Sequence, residues 1–178
     1  PYIGILNTDL SWSHGTFESA LSWLLNNPDV KAAVPQILDE SGTITKLGKC
    51  NPTILGLLSR RFIPSWLKPN WLKQYDRRYI MADEDYEKPI VATNLSGCCM
   101  IVRTDAFRKV GGFDERYFLY LEDSDLTRSL SLHGKCIHLP LVQVIHGWGR
   151  GNYKSLDLAA VHVISSWHYF RKWGWTLW

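Results

Sequence analysis

Residues 117–128 read YFLYLEDSDLTR, and here apolar and aromatic side chains run directly into the acidic pair Glu122-Asp123. An unpaired carboxylate is costly to bury, because it gives up its hydration without gaining a compensating partner. One interpretation is that the acids begin a helix at the surface, where the helix dipole favours each negative charge by roughly 0.3–1 kcal/mol. The other is that a buried FLYL run delivers a carboxylate to the mouth of a functional site. Both can hold at once.

Strand and helix patterns alternate on both sides of this stretch. Short apolar runs bounded by turn residues predict strands at 2–6, 30–37, 43–47, 96–103, 135–140 and 142–147, the first of them buried. Apolar residues at helical spacing predict four helices, which begin at Thr16, at Thr104, near Ser124 and at 156. This alternation of strands and helices predicts an α/β domain.

The sequence also predicts how the helices begin and end. Thr16 and Thr104 are predicted N-caps, since a threonine oxygen can accept a hydrogen bond from the first turn of a helix. Gly134 is predicted to end the helix that starts near Ser124. The last helix is predicted to pack on the domain through one face, formed by Leu156, Ala160, Val163, Trp167 and Phe170.

Composition excludes several classes of protein. The 178 residues suffice for one domain with a sizeable core, and the net charge of +3 is compatible with an anionic substrate or a membrane surface but too small to indicate nucleic acid. The 4 cysteines lack the spacing of a zinc site, and reduced thiols in a cytosolic protein are expected. No apolar run is long enough for a transmembrane helix. The start inside a strand-like run suggests a fragment.

Residues 50–89 are irregular, with four prolines among several tryptophans, tyrosines, arginines and lysines. A long aromatic-basic insertion of this kind is typical of a functional loop or a covering flap.

Polar residues follow three of the strand-like segments, at Asn7-Thr8-Asp9, at Glu122-Asp123 and at His146. In α/β sheets, ligands bind where the carboxyl ends of strands converge. Asp9 and His146 could together bind Mn²⁺ or Mg²⁺, and Asp123 could act as a general base. Each residue also has an ordinary structural explanation: a turn aspartate, a hydrogen-bonded surface histidine, and acids at a helix start.

Five longer motifs carry a family resemblance, namely LNTD at 6–9, NPDVKAAVPQILDESG at 27–42, SGCCMIVR at 96–103, VGGFDERYFLYLEDSDLTR at 110–128 and HVISSWHYFRKWGW at 162–175, together with VIHG at 144–147. Over nearly its whole length the chain resembles the family 2 glycosyltransferases, particularly the bacterial rhamnosyltransferase-like members. The 110–128 block is the most specific of these motifs.

The resemblance implies a GT-A fold, a Rossmann-like mixed sheet flanked by helices. By matching position, Asp9 takes the metal-binding place of a D-x-D-like motif, and Asn7 takes the first place of that motif on the donor side. His146 looks like the second protein ligand of a divalent cation, Mn²⁺ or Mg²⁺. Asp123 looks like the catalytic base, and Glu122 looks like the residue that helps to hold the acceptor hydroxyl.

The implied reaction is an inverting transfer of a sugar from a nucleotide diphosphate-sugar, with dTDP-rhamnose suggested by the resemblance. The implied acceptor is a glycan or lipid-linked saccharide of bacterial cell-surface polysaccharide synthesis. The strand around Gly97 and the insertion are expected on the acceptor side, where Trp12 or Trp66 could stack on a sugar ring or else pack in the core. The aromatic-basic end at 169–178 suggests peripheral contact with the inner face of the cell membrane.

The family's nucleotide-binding strands are expected before Pro1. Residues 1–178 are therefore interpreted as a partial glycosyltransferase domain, comprising the metal and acceptor side and the 50–89 insertion. We expect the isolated chain to bind nucleotide weakly and to be inactive alone. A different class remains open, a non-catalytic module that binds carbohydrate or lipid head groups and descends from a transferase. A metal-dependent hydrolase ranks lowest, because the sequence lacks clustered metal-ligand motifs.

Overall fold

The computed structural model describes residues 1–147 and 156–178. In chain order its elements are β1 (Tyr2–Leu6), β2 (Leu10–Ser11), α1 (Thr16–Leu25), β3 (Val30–Leu38), β4 (Ile44–Thr45), α2 (Ile54–Phe62), a 3₁₀ turn (Ser65–Leu67), α3 (Asn70–Tyr79), β5 (Ile90–Val91), β6 (Cys99–Arg103), α4 (Thr104–Lys109), α5 (Glu122–Ser131), β7 (Lys135–His146) and α6 (Leu156–Trp173).

The strands form one mixed sheet of 7 strands with the order β1-β6-β3-β7-β2, to which β4 adds beside β3 and β5 beside β7. The central pair β3 and β7 is parallel, whereas the other pairs are antiparallel. Successive strand residues point to opposite faces of a sheet. Ala33 and Ile101 accordingly pack toward α1, while Ala32 and Met100 pack toward α4 and α5. The predicted α/β sheet flanked by helices is confirmed.

Two strands differ from their predictions. Residues 135–146 form one strand rather than two, because pairing with β3 resumes after a register shift between Pro35 and Gln36. Pro140 lies in the extra residues of this shift, where its missing N–H interrupts no ladder bond. The first strand is an edge strand paired only with β6 and is partly exposed, with Leu6 43% accessible, so the prediction that it is buried was wrong.

Helix ends also differ from the predictions. Thr16 and Thr104 are the first helical residues, and Gly15 and Arg103 occupy the N-cap positions. Helix α5 begins two residues before the predicted start and ends at Ser131. Gly134 lies beyond this helix, at a point where a Cβ atom would collide with the backbone oxygen of Asp29. Close approach of two backbones, rather than a helix cap, therefore explains this glycine.

The insertion at 50–89 is largely helical rather than irregular. Helices α2 and α3 are joined by side-chain hydrogen bonds from Ser59 Oγ to Asp76 Oδ1 at 2.6 Å and between Thr53 and Tyr75 at 2.5 Å. Lys68 Nζ contacts the second oxygen of Asp76 at 2.5 Å. The insertion is thus a packed helical pair that can hold side chains in fixed positions.

The C-terminal end packs on the insertion. The first amides of α2, those of Ile54 and Leu55, donate to the backbone oxygens of Thr176 and Leu177 at 3.0 Å each. Helix α6 buries Ser165, Tyr169 and Phe170. Ala160, Val163 and Trp167 are exposed, so only Phe170 among the described members of the predicted buried face is buried. The side chain of Leu156 lies outside the described residues.

None of the helices in the described ranges is both long enough and apolar enough to span a membrane. All four cysteines are free; Cys50 is exposed, and the other three are buried.

Candidate active site

The residues predicted to bind metal meet at one edge of the sheet. Strand β2 pairs with the end of β7 so that Leu10 lies opposite His146, and the Gly147 amide donates to the Asp9 backbone oxygen at 2.8 Å. This pairing places His146 Nε2 3.1 Å from Asp9 Oδ1 and 3.4 Å from Asn7 Nδ2. The structure therefore brings Asn7, Asp9 and His146 together, while their roles stay predictions.

The corner formed by Asn7, Asp9 and His146 is suited to a divalent cation that also binds ligands from outside the protein. Adjacent ligands of an octahedral Mg²⁺-like ion, bound at about 2.0–2.1 Å, lie about 3 Å apart. The contact between Asp9 and His146 has that spacing. Within residues 1–147 and 156–178, no three His, Cys, Asp or Glu side chains are grouped closely enough to hold a metal ion. A cation here would therefore need phosphate or water oxygens as further ligands.

A strained turn sets the position of the second corner. Tyr120 and Leu121 have φ angles of 68° and 65°, in the left-handed region that residues with a side chain rarely adopt. Two such residues in succession turn the chain sharply into α5, whose first turn carries Glu122 and Asp123. Strain of this kind persists where the surrounding structure enforces it, and it clusters at functional sites.

The predicted run of buried residues into this turn was wrong in part. Tyr117 and Leu121 are buried, but Phe118 is 88% exposed and Leu119 is 36% exposed. The segment is therefore an extended surface turn with two anchor residues rather than a buried approach.

Backbone amides hold the Asp123 carboxylate in place. Its Oδ2 accepts a hydrogen bond from the Gly97 amide at 3.1 Å, and its Oδ1 accepts one from the Ser124 amide at 2.7 Å. A Cβ atom on Gly97 would lie 3.1 Å from the Asp123 Cβ, so the close approach of these segments leaves little room for a side chain at this position. Thr127 adds a second link, because its Oγ1 donates to Asp123 O at 2.7 Å and accepts from the Leu95 amide at 3.3 Å.

Glu122 has fewer hydrogen-bond partners than Asp123 among the described residues. Its Oε2 is buried and has no hydrogen-bond partner in the part of the chain that the structure describes. Burial, and next the charge of Asp123, raise the pKa of the Glu122 carboxyl. A carboxyl group with a free buried oxygen beside a fixed carboxylate is suited to bind a hydroxyl group of a ligand.

Both acids line a pocket of about 280 Å³ whose other walls come from the insertion, from α6, from Lys49 and Asn94, and from the chain around the acids at 120–124. Lys49, Arg60, Arg61 and His162 contribute basic groups to this pocket. Burial lowers the pKa of Lys49, and the Asp123 charge opposes that change. The sequence indicated the aromatic-basic character of this region but not which residues would face the acids.

The two corners are joined through residues 97 and 98. The Asn7 backbone amide donates to Cys98 O at 2.8 Å, and the adjacent Gly97 amide donates to Asp123.

The other predicted acceptor residues lie elsewhere. Trp12 packs edge-on against Phe17 with ring centroids 5.0 Å apart, and Trp66 is 78% exposed on the 3₁₀ turn. Neither tryptophan lines the pocket that contains Glu122 and Asp123, and their roles stay predictions.

Sequence reasoning missed the acid that the structure buries most fully. Asp125 is 2% exposed and accepts hydrogen bonds from Trp173 Nε1 at 2.6 Å, from Lys172 Nζ at 2.7 Å and from Tyr117 OH at 3.3 Å. It therefore ties α5 to α6. The sequence gave no local signal for this role, because the partners Lys172 and Trp173 lie on α6.

Comparison with known proteins identifies relatives. No family model matches the chain. It is 32% identical over 165 residues to the N-acetylglucosaminyl-diphospho-decaprenol L-rhamnosyltransferase of Mycobacterium tuberculosis, in strains CDC 1551 / Oshkosh and ATCC 25618 / H37Rv, and the match covers 90% of this chain. A stretch of 52 residues, 29% of this chain and 20% of the relative, is 46% identical to the rhamnosyltransferase WbbL of Escherichia coli strain K12.

The chain spans about half the length, 52%, of the mycobacterial relatives. In structure it is similar to GalNAc-T7 crystallised with UDP, GalNAc and Mn²⁺, with a TM-score of 0.59 at 10% identity, covering 96% of this chain and 31% of that one. This likeness concerns the fold and confirms the predicted GT-A architecture. The chain is thus similar over most of its length to named rhamnosyltransferases, and its fold is that of the GT-A glycosyltransferases.

Proposed function

We propose that the protein containing this chain is an inverting, metal-dependent rhamnosyltransferase of bacterial cell-envelope polysaccharide synthesis. Its donor is a nucleotide diphosphate-sugar, dTDP-rhamnose, and its acceptor is a saccharide or lipid-linked saccharide. The observation that carries the proposal is the fixed Asp123 carboxylate beside the uncompensated Glu122, in a pocket joined through residues 97 and 98 to Asp9 and His146. The names of the mycobacterial relatives support the sugar and the lipid-linked acceptor.

In the proposed reaction, Asp123 removes the proton from an acceptor hydroxyl group that Glu122 helps to orient. The acceptor oxygen forms a bond to the anomeric carbon as the bond from that carbon to the diphosphate oxygen breaks. A single displacement with one base inverts the anomeric centre.

Asp9 and His146 would hold a divalent cation, with Asn7 beside them on the donor side. When bound, the cation supplies positive charge that neutralises the diphosphate leaving group. The Mn²⁺ of the GalNAc-T7 structure supports this proposal, as does the 3.1 Å spacing of the two side chains here.

Peripheral contact with the inner face of the cell membrane is part of the proposal. Trp167, Trp175 and Trp178 are 52%, 56% and 73% exposed near the basic residues Arg171 and Lys172. Exposed tryptophans beside lysine and arginine are typical of segments at a membrane interface.

The test uses the full-length protein, a panel of nucleotide sugars and lipid-linked and soluble saccharide acceptors. Released nucleoside diphosphate is measured with Mn²⁺, with Mg²⁺ and with a chelator. We expect release from dTDP-rhamnose that requires both acceptor and cation. Failure of every donor to react, while the protein still binds a saccharide, would instead favour the non-catalytic binding module.

A further inference from the structure

Basic groups line the candidate pocket together with the acid pair. Lys49, Arg60 and Arg61 line the pocket with Glu122 and Asp123, and none of these three bases forms an ion pair with a carboxylate within the described ranges. Arg60 stacks over the Tyr79 ring at 5.7 Å, which fixes its guanidinium group without neutralising it. The Asp123 charge acts on Lys49, whereas Arg60 and Arg61 have no carboxylate partner among the described residues. A pocket with these bases favours a bound anion.

An apolar groove continues from this pocket. The groove, of about 200 Å³, shares Leu57 and His162 with the pocket, so the two cavities meet at these residues. Its walls include large apolar side chains that are about half exposed, namely Leu58 (49%), Phe62 (56%), Val163 (58%), Trp167 (52%) and Trp175 (56%). Apolar side chains grouped in a concave, exposed surface are typical of a binding site for an apolar ligand.

We propose that pocket and groove together form one track for an acceptor lipid, in which Lys49, Arg60 and Arg61 bind a phosphate or diphosphate linker and the groove binds the hydrocarbon chain. This inference rests on the proposed function, because it deepens the assignment of the acceptor. The three basic residues of the pocket and the groove between α2 and α6 would then determine which acceptor the protein binds.

The combination of the three surfaces determines the choice of occupant, because acids and bases line one pocket and the apolar groove adjoins it. A carboxylate pair suits a sugar hydroxyl, bases suit an anion, and an apolar groove suits a hydrocarbon chain. A lipid-linked saccharide carries these three groups in one molecule. A protein segment or a bare membrane surface would fit the groove but would leave the bases beside the acid pair without a role.

The first test measures binding on the full-length protein, with farnesyl diphosphate as the probe because it joins a diphosphate to an apolar chain. Isothermal titration calorimetry compares wild type with Arg60→Gln and Val163→Asp. The matched controls are Arg108→Gln, an exposed arginine on α4, and Ile164→Asp, which is 56% exposed on α6 but outside the groove.

We expect each test variant to weaken farnesyl diphosphate binding at least about tenfold, since a lost charged hydrogen bond or an introduced buried charge costs that much or more. The controls should stay within about twofold, and inorganic pyrophosphate binding should respond to Arg60→Gln but not to Val163→Asp. Equal losses in test and control variants would overturn the track. So would a Val163→Asp protein that binds farnesyl diphosphate normally and loses only its attachment to phosphatidylcholine vesicles.

A kinetic measurement separates this inference from the proposed function. Transfer is followed to a saccharide diphospho-lipid and to the octyl glycoside of the same saccharide, which lacks phosphate. The track predicts that Arg60→Gln raises the KM of the diphospho-lipid at least about tenfold and leaves the KM of the glycoside and of the donor nearly unchanged. A rise confined to the donor KM contradicts the track. Normal farnesyl diphosphate binding with no sugar transfer from any donor contradicts the proposed function alone.

Discussion

The first turn of α5 presents acidic side chains to two different surroundings. On its inner face Asp125 is 2% exposed and accepts hydrogen bonds from Lys172, Trp173 and Tyr117. On its outer face Asp123 is held by two backbone amides, and Glu122 keeps a buried oxygen without a partner among the described residues. A fully compensated carboxylate stabilises the fold, whereas an oriented but incompletely compensated one is available for chemistry.

The largest expected effect is on the outer face. Asp123→Asn keeps the size of the side chain and one of its two acceptor oxygens but cannot act as a base. We expect kcat to fall by about 10²–10⁴-fold, the usual contribution of a general base, with little change in the melting temperature. Steady-state kinetics on the full-length protein checks this result. Asp85→Asn, which alters an exposed ion pair with Lys88, is the control and should retain wild-type kcat.

Replacing Asp125, on the inner face of α5, should lower the stability of the protein rather than its kcat. Asp125→Asn removes the nearer of the two carboxylates that Lys172 contacts and leaves Asp114 Oδ2 at 3.6 Å, so we expect a loss of about 2–3 kcal/mol in the free energy of unfolding. Urea denaturation followed by tryptophan fluorescence measures this loss. A variant as stable as wild type would show that the contacts between α5 and α6 do not depend on this charge.

Gly97→Ala tests whether the position of Asp123 matters as well as its charge. The added Cβ would lie 3.1 Å from the Asp123 Cβ, which forces the carboxylate to shift by a few tenths of an ångström. We expect kcat to fall about tenfold, because small displacements of a catalytic group are costly. Gly4→Ala, whose Cβ would meet its nearest neighbour at an ordinary 3.8 Å, serves as the matched change. Equal kcat values for the two alanine variants would contradict a positional role for Gly97.

The smallest expected effect is the pH dependence of stability that the Glu122 carboxyl group contributes. Burial raises its folded-state pKa above the usual glutamate range, so the folded protein holds a proton that the unfolded chain has already lost. Stability linked to this group is therefore present at low pH and is lost as the pH rises through the raised pKa. Glu122→Gln should be more stable than wild type near neutral pH, and the difference should shrink toward acid.

Urea unfolding between about pH 4 and pH 8 measures that difference, with the exposed Glu115→Gln as control. A constant difference across this range would mean that Glu122 does not change its charge state on folding.

Local patterns predicted most of the sheet. The predicted strand at 30–37 matches β3, and the one predicted at 96–103 contains the shorter β6, because each strand is buried on both faces of the sheet. Local patterns failed where distant pairing decides the outcome. Two strands were predicted at 135–140 and 142–147, whereas the structure has one, since the register shift that accommodates Pro140 depends on pairing with β3.

The candidate site was predictable only in part for the same reason. Each of the residues Asn7, Asp9, Asp123 and His146 follows or adjoins a local motif, and the structure places them in two neighbouring corners. Two of the three partners of Asp125 lie 47 and 48 residues away on α6, beyond the reach of any local pattern. The direction in which Arg60 and Arg61 point depends on how the insertion packs against α6, which composition does not specify.

The different roles assigned to Asp123 and Asp125 are tested most directly by a single-turnover measurement of sugar transfer by the full-length Asp123→Asn and Asp125→Asn proteins. Both variants are compared at equal concentrations of folded protein, with saturating donor and acceptor. We expect Asp123→Asn to transfer sugar at least about 10²-fold more slowly than wild type. We expect the folded Asp125→Asn protein to stay within about threefold of the wild-type rate. A near-normal rate in Asp123→Asn, or an equally large loss in both variants, would contradict the assignment of Asp123 as the base.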